Sequence, residues 1–163
     1  SELLGEAQGR RLIALDRINN PQNLGMAIRS IAAGYVDGLL LSREAGNTRL
    51  SPLVVKASAG TFFRTDIYQC GDLGDCLGQL RQSGYSVMCL KATAKHSLFE
   101  QTIPERCVFV LGNESEGVSE HIMELADTRA AIPLSGGVES LNVAVTAALV
   151  AFLRPLRSEP SNR

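Results

Sequence analysis

Arg29 stands four residues after Gly25 in the segment Asn20-Pro21-Gln22-Asn23-Leu24-Gly25-Met26-Ala27-Ile28-Arg29. On a helix that spacing puts both residues on one face, away from the apolar stripe. A guanidinium there can hold a phosphate or a developing oxyanion. The helix start near Asn23 attracts anions, and Gly25 lets a backbone or a ligand come close. A capped surface helix with a solvated arginine fits the same residues. A second segment, Leu111-Gly112-Asn113-Glu114-Ser115-Glu116-Gly117-Val118, sets two carboxylates between two glycines. Its glycines are spaced as in a phosphate loop, but Val118 and Ser119 stand where Lys and Ser/Thr are needed, which disfavours triphosphate cleavage. An incidental acidic pair in a polar loop explains it equally well. A third segment runs Ile132-Pro133-Leu134-Ser135-Gly136-Gly137-Val138-Glu139-Ser140-Leu141-Asn142-Val143. Ser140 occupies an N-cap position. Asn142 suits a helix interior poorly, which points to a contact made by its side chain. An ordinary strand–loop–helix joint is the plainer alternative.

These segments must be held by regular elements. Residues 11–16 form a short apolar run of strand length, and Asn19-Asn20-Pro21 breaks it. From Asn23, the predicted N-cap, Leu24, Ala27, Ile28, Ile31 and Ala32 recur at helical spacing up to Gly34. Residues 38–42 read as a second buried strand, and Ser51-Pro52 opens a short helix with proline at its first position. Residues 64–70 suggest a third strand. Leu73, Cys76, Leu77 and Leu80 mark a helix ended by Gly84. Further strands are predicted at 85–90, 107–111 and 130–134, with helices at 119–126, capped by Ser119, and at 141–153. Strands alternating with helices predict an α/β fold, a mostly parallel sheet with helices on both faces. In such folds ligands bind beyond the C-terminal strand ends, which are the places the three segments occupy.

Composition sets limits. The 163 residues fit a single domain spanning 1–163, with flexible ends at 1–10 and 157–163. A hydrophobic share of 45% against 20% charged excludes disordered and collagen-like classes. No apolar run reaches the ~18 residues of a membrane span, and no signal peptide is expected. The net charge of −1 counts weakly against a nucleic-acid binder, although a local patch matters more than the sum. Arg10, Arg11, Arg17, Arg154 and Arg157 are the candidates for such a patch. Cys70, Cys76, Cys89 and Cys107 include no C-x-x-C pair, so no metal site is expected and reduced core thiols are. The G-x-G-x-x-G signature of dinucleotide binding is missing after the first strand, which argues against an NAD or flavin domain.

Taken together and in this order, the three segments resemble the motifs of the SpoU/TrmH family of AdoMet-dependent RNA ribose 2′-O-methyltransferases, within the SPOUT superfamily. The first motif matches at Asn23, Gly25 and Arg29. The second matches at Gly112, Glu114 and Gly117, and the third at Ile132, Pro133, Ser140, Leu141 and Asn142. Lys56-Ala57-Ser58-Ala59-Gly60 is similar to the family's stretch between the first two motifs. The likeness runs from about residue 11 to 153. It departs at Asn20, where many members have aspartate, at Leu134, where many have methionine, and in Val-Ala-Val-Thr after Asn142.

This resemblance implies a C-terminal trefoil knot, a homodimer with its site near the interface, and a cytoplasmic enzyme methylating RNA, ribosomal RNA before transfer RNA. It implies S-adenosyl-L-methionine (AdoMet) as cofactor, held by Thr93, Leu111, Gly112, Gly117, Ile132, Leu134 and Leu141. It implies catalytic duties for Arg29, Asn23, Glu114, Ser140 and Asn142. Because a guanidinium is a permanent cation, Arg29 would be a phosphate clamp and electrostatic stabiliser rather than a base. Asn23 would orient Arg29 or the ribose. Glu114 would pair with Arg29, accept from the hydroxyl, or both, and Ser140 and Asn142 would position the substrate and the third-motif loop. Many relatives carry an N-terminal RNA-binding domain, and none is expected within these 163 residues. The rival reading is a catalytically silent RNA-binding or ribosome-assembly protein on the same fold.

Overall fold

The structure, a computed structural model, describes residues 11–43 and 50–154. The expectations for the chain ends, and for Arg10 and Arg157, fall outside those residues. Seven strands form one sheet in the order β3-β2-β1-β6-β4-β7-β5, with every pairing parallel. They are β1 Arg11–Leu15, β2 Gly38–Ser42, β3 Asp66–Cys70, β4 Ser86–Leu90, β5 His96–Ser97, β6 Cys107–Leu111 and β7 Thr128–Ala131. The helices are α1 Pro21–Ala33, α2 Pro52–Ala57, α3 Leu73–Gln82, α4 Glu120–Glu124 and α5 Val143–Ala151. Short 3-10 turns cover Thr61–Arg64 and Leu98–Glu100.

The central strands are buried throughout because both sheet faces are covered. Their side chains alternate between two cores. Ile13 and Leu15 of β1, with Phe109 and Leu111 of β6, meet Leu24, Ile28 and Ile31 of α1 and Ala147 and Val150 of α5. Leu12 and Ala14, with Val108 and Val110, meet Leu73, Leu77 and Leu80 of α3 and Ile122 of α4. The register sets Ile13 opposite both Leu39 and Phe109, so the apolar rows run across the sheet. Gly25 is where α1 and α2 touch. A Cβ there would come within 2.5 Å of the Ala57 Cβ and 2.7 Å of the Val54 carbonyl oxygen. It is a backbone, not a ligand, that requires this glycine.

Several boundaries differ from the sequence reading. The cap of α1 is Asn20, not Asn23: its side chain accepts from the Gln22 and Asn23 amides, and Pro21 takes the first helical position. The cap of α5 is Asn142, not Ser140, accepting from the Ala144 amide. β7 ends at Ala131, before Pro133, which has no N–H to extend a ladder. β3 starts only after the 3-10 turn at Thr61–Arg64. The two-residue β5, too short to leave a periodic signal, pairs with β7 at the sheet edge.

Arg11 is buried. Its guanidinium donates to the carbonyls of Ile103 and Leu153 and its amide donates to the Asp37 carboxylate. It ties strand to loops and is not available to RNA. All four cysteines are free and buried. Burial pushes the Cys89 and Cys107 thiols up to about 12, so they behave as core filling.

Candidate active site

The order of strands reverses beside β1, whose neighbours are β2 and β6. At the C-terminal ends of β1, β6 and β7 the three segments converge. Because Asn20 caps α1, Asn23 sits inside the first turn with its side chain free to reach across. Asn23 is buried and donates from Nδ2 to Glu114 Oε1 at 2.5 Å. Asn142 donates from Nδ2 to Asn23 Oδ1 at 3.1 Å, and Asn142 Oδ1 accepts from the Ala144 amide at 2.8 Å.

Each link fixes the next. A carboxylate only accepts, so Asn23 must turn its NH₂ toward Glu114. Its carbonyl is then left for Asn142, whose own carbonyl is left for the helix. One directional relay thus joins all three segments. Glu114 makes no ion pair with Arg29, contrary to one of the roles weighed for it. Arg29 lies on the exposed side of α1 and has no hydrogen bond or ion pair among the described residues.

The second segment is folded onto itself. The Gly117 amide donates to the Asn113 carbonyl, Asn113 Oδ1 accepts from the Ser115 and Glu116 amides, and Gly117 has φ +71°. A Cβ on Gly112 would lie 2.0 Å from the Gly117 carbonyl carbon and 2.1 Å from the Val118 nitrogen. Only glycine fits.

Two residues that sequence reasoning did not assign to the site brace this loop. Asp16, buried at the end of β1, accepts from the Ser119 amide at 2.7 Å. Arg17, held at φ +58°, donates to Glu116 Oε2 at 2.5 Å and to the Gly117 carbonyl at 3.2 Å. Arg17 is therefore engaged with the second segment rather than in a general basic patch. Only its place directly after a buried strand could have signalled this.

Between the loops lies a cavity of about 1050 Å³. Thr93, Leu111, Gly112, Gly117, Ile132, Leu134 and Leu141 all line it, as do Glu114 and Ser140. Asn23 and Asn142 stand behind Glu114 and reach the cavity through it. Apolar walls come from Leu90, Leu111, Met123, Ile132 and Val143. Five glutamates, at 114, 116, 120, 124 and 139, face three cations, Arg17, Lys91 and Arg129. Among the described residues no group of His, Cys, Asp and Glu could hold a metal ion.

The model of the SpoU rRNA Methylase family matches residues 10–152. The chain belongs to that family. Among curated members, it is 33% identical over 151 residues to the 23S rRNA (guanosine-2′-O-)-methyltransferase RlmB of Xanthomonas campestris, covering 92% of this chain and 60% of the relative. The chain thus spans about three-fifths of the length of the RlmB relatives it matches. An AdoMet-bound rRNA methyltransferase from Sinorhizobium meliloti superposes with TM-score 0.78 at 27% identity, over 88% of this chain and 54% of that one. A structure concerned with 2-OH methylation of C/U34 on tRNA matches with TM-score 0.76 at 29% identity, over 88% of this chain and 93% of that one.

Proposed function

We propose that this SpoU-family chain transfers a methyl group from AdoMet to a ribose 2′-hydroxyl of RNA. The observation that carries the reading is the Glu114–Asn23–Asn142 relay, set at the edge of a cavity that suits a cationic cofactor. The cavity offers apolar walls for an adenine, backbone groups in a fixed loop, and a surplus of carboxylates for a sulfonium. Bound there, AdoMet would supply an electrophilic methyl. The ribose oxygen would take that methyl as its bond to sulfur breaks, leaving S-adenosylhomocysteine, and the hydroxyl proton would be released to solvent.

The protein's task is then orientation and charge. Glu114 uses one oxygen for Asn23, and its other oxygen has no partner among the described residues. That second oxygen would accept from the ribose hydroxyl and aim its lone pair. The exposure of Arg29, outside the cavity of its own chain, favours the phosphate-clamp role. Ser140, exposed and free of side-chain bonds among the described residues, would meet substrate. Thr93, Leu111, Gly112, Gly117, Ile132, Leu134 and Leu141 would hold the cofactor.

A homodimer belongs to this reading. Met26 on α1 and Val145 on α5 are exposed on a packed helix pair, at 43% and 48%, and Phe152 and Tyr35 extend the apolar face at its end. The trefoil knot implied by the resemblance is retained in this reading. A cytoplasmic location goes with an RNA substrate, and among the described residues no helix is long and apolar enough to cross a membrane. Ribosomal RNA is favoured by the family and by the RlmB relatives. Transfer RNA is the second reading, favoured by the 93% of the C/U34 structure that the chain covers.

Calorimetry with AdoMet tests the pocket. Wild type is expected to bind. Leu141→Arg, which places bulk and positive charge against the cofactor, is expected to bind at least about ten-fold more weakly. A folded wild type that binds no AdoMet would overturn the proposal.

A further inference from the structure

We propose that Phe63, next to Arg64 in the 3-10 turn that follows the Lys56-bearing helix α2, is a stacking platform for an unpaired base of the RNA substrate. The inference rests on the RNA reading above and adds a contact site outside the cavity. Phe63 is 76% exposed, more than any other large hydrophobic side chain of the described residues. Its position is built rather than frayed. Ser58, fully buried, donates from Oγ to the Val55 carbonyl and accepts from the Phe62 amide. Thr61 Oγ1 donates to the Ser58 carbonyl and Thr65 Oγ1 to the Thr61 carbonyl. Ala59 and Gly60 both adopt left-handed backbone, at φ +51° and +81°. For alanine that conformation is unfavourable, and strain of this kind gathers at functional sites.

The ring itself is braced. Phe62 packs against the core and meets Phe63 edge-on, with centroids 5.3 Å apart at 85°. An aromatic with a neighbour at its side loses less freedom on binding, while most of the ring stays open to solvent. The charged residues of the 50–65 stretch are both cations, and the first acidic residue after it is Asp66 at the start of β3. Lys56 and Arg64 are exposed and make no hydrogen bond or ion pair among the described residues, and there is no acidic residue from Leu50 to Thr65. Arg29 follows one turn after Gly25, the residue at which α1 meets α2. A bare ring on a stretch that carries unpaired cations is the chemistry of single-stranded nucleic-acid binding, with base on ring and phosphate on cation. A second copy of this chain would bring the same cations with it and face like-charge repulsion.

The chain has no tryptophan, so Phe63→Trp introduces a single reporter indole. A short fluorescein-labelled oligoadenylate serves as probe, with anisotropy following binding and indole emission following contact. Saturable quenching that parallels the anisotropy rise is expected. Phe63→Ala should weaken binding about ten-fold, while Phe63→Tyr restores it and AdoMet binding is unchanged. Lys56→Gln with Arg64→Gln should flatten the dependence of log K on log salt by about 1.4. Binding of the probe with no quenching, and no loss in Phe63→Ala, would overturn this inference and leave the methyl-transfer proposal standing. An indole emission that shifts with protein concentration alone would assign the ring to a contact between copies instead. No RNA binding by wild type would overturn both proposals.

Discussion

The two walls of the cavity differ in how they are held. Residues 112–118 are bonded to themselves and to Arg17, Asp16 holds the backbone of Leu111 and Ser119 on either side of them, and they close so tightly over Gly112 that no side chain fits. Residues 133–140 are exposed. Their Gly136-Gly137 pair is left-handed, and the bond from the Val138 amide to the Ser135 carbonyl, at 3.4 Å, is the internal bond the described residues show. One wall is preformed and the other is loosely held. Among the described residues, the relay from Glu114 through Asn23 to Asn142 is the side-chain link between the first wall and the helix start that follows the second. The difference suits an enzyme that must offer fixed backbone groups to a cofactor and still admit a large substrate.

The largest expected effect comes from breaking the stiff wall. Gly112→Ala forces backbone apart, so AdoMet binding should be lost in calorimetry and the protein should be destabilised by about 3 kcal/mol. Normal binding by that variant would mean the wall is not stiff. Arg29→Ala leaves both walls intact. Methyl transfer to RNA should fall about 100-fold with AdoMet affinity unchanged, and near-normal turnover would remove Arg29 from the mechanism.

The relay is sharpened by a double-mutant cycle. Asn23→Ala and Asn142→Ala should each destabilise the protein, with a coupling of about 1 kcal/mol in urea unfolding. Additivity would mean the walls are not linked through these side chains. Hydrogen exchange separates the walls directly: adding AdoMet should protect residues 133–141 and change 112–118 little. Equal protection of both would erase the contrast.

The smallest effect lies outside the cavity. Asp127 pairs with Arg81 and accepts from the Val87 amide. Burial pushes its carboxyl up, but the Val87 and Arg81 contacts outweigh this and hold it below 3.8. Its contribution is therefore present above that ordinary value and is lost as pH falls through the lower folded one. Asp127→Asn should cost about 1 kcal/mol at neutral pH and show a shallower loss of thermal stability below pH ~4, with transfer activity unaffected.

Much of the fold was legible because the central strands are apolar runs of strand length, and Pro52 and Gly34 punctuate helices as expected. β5 was not legible, since two residues show no periodicity. The two N-caps were misplaced for one physical reason. Asn20 and Asn142 serve the backbone, and which of several polar residues does so depends on where the helix docks. The site residues stood out by type and order, but the relay did not. That Asn23 rather than Arg29 meets Glu114 follows from α1 starting at Pro21, which turns Asn23 inward and Arg29 out. Arg11 and Arg17 looked like surface cations in sequence, and their partners lie many residues away.

The most direct test is to incubate the protein with radiolabelled AdoMet and ribosomal or transfer RNA and then hydrolyse the RNA in alkali. A methylated 2′-oxygen cannot attack its own phosphodiester, so the account expects label in alkali-resistant dinucleotides, lost in Glu114→Gln and Arg29→Ala. Label in mononucleotides would mean base methylation. No transfer by a protein that binds AdoMet and RNA would contradict the assigned chemistry.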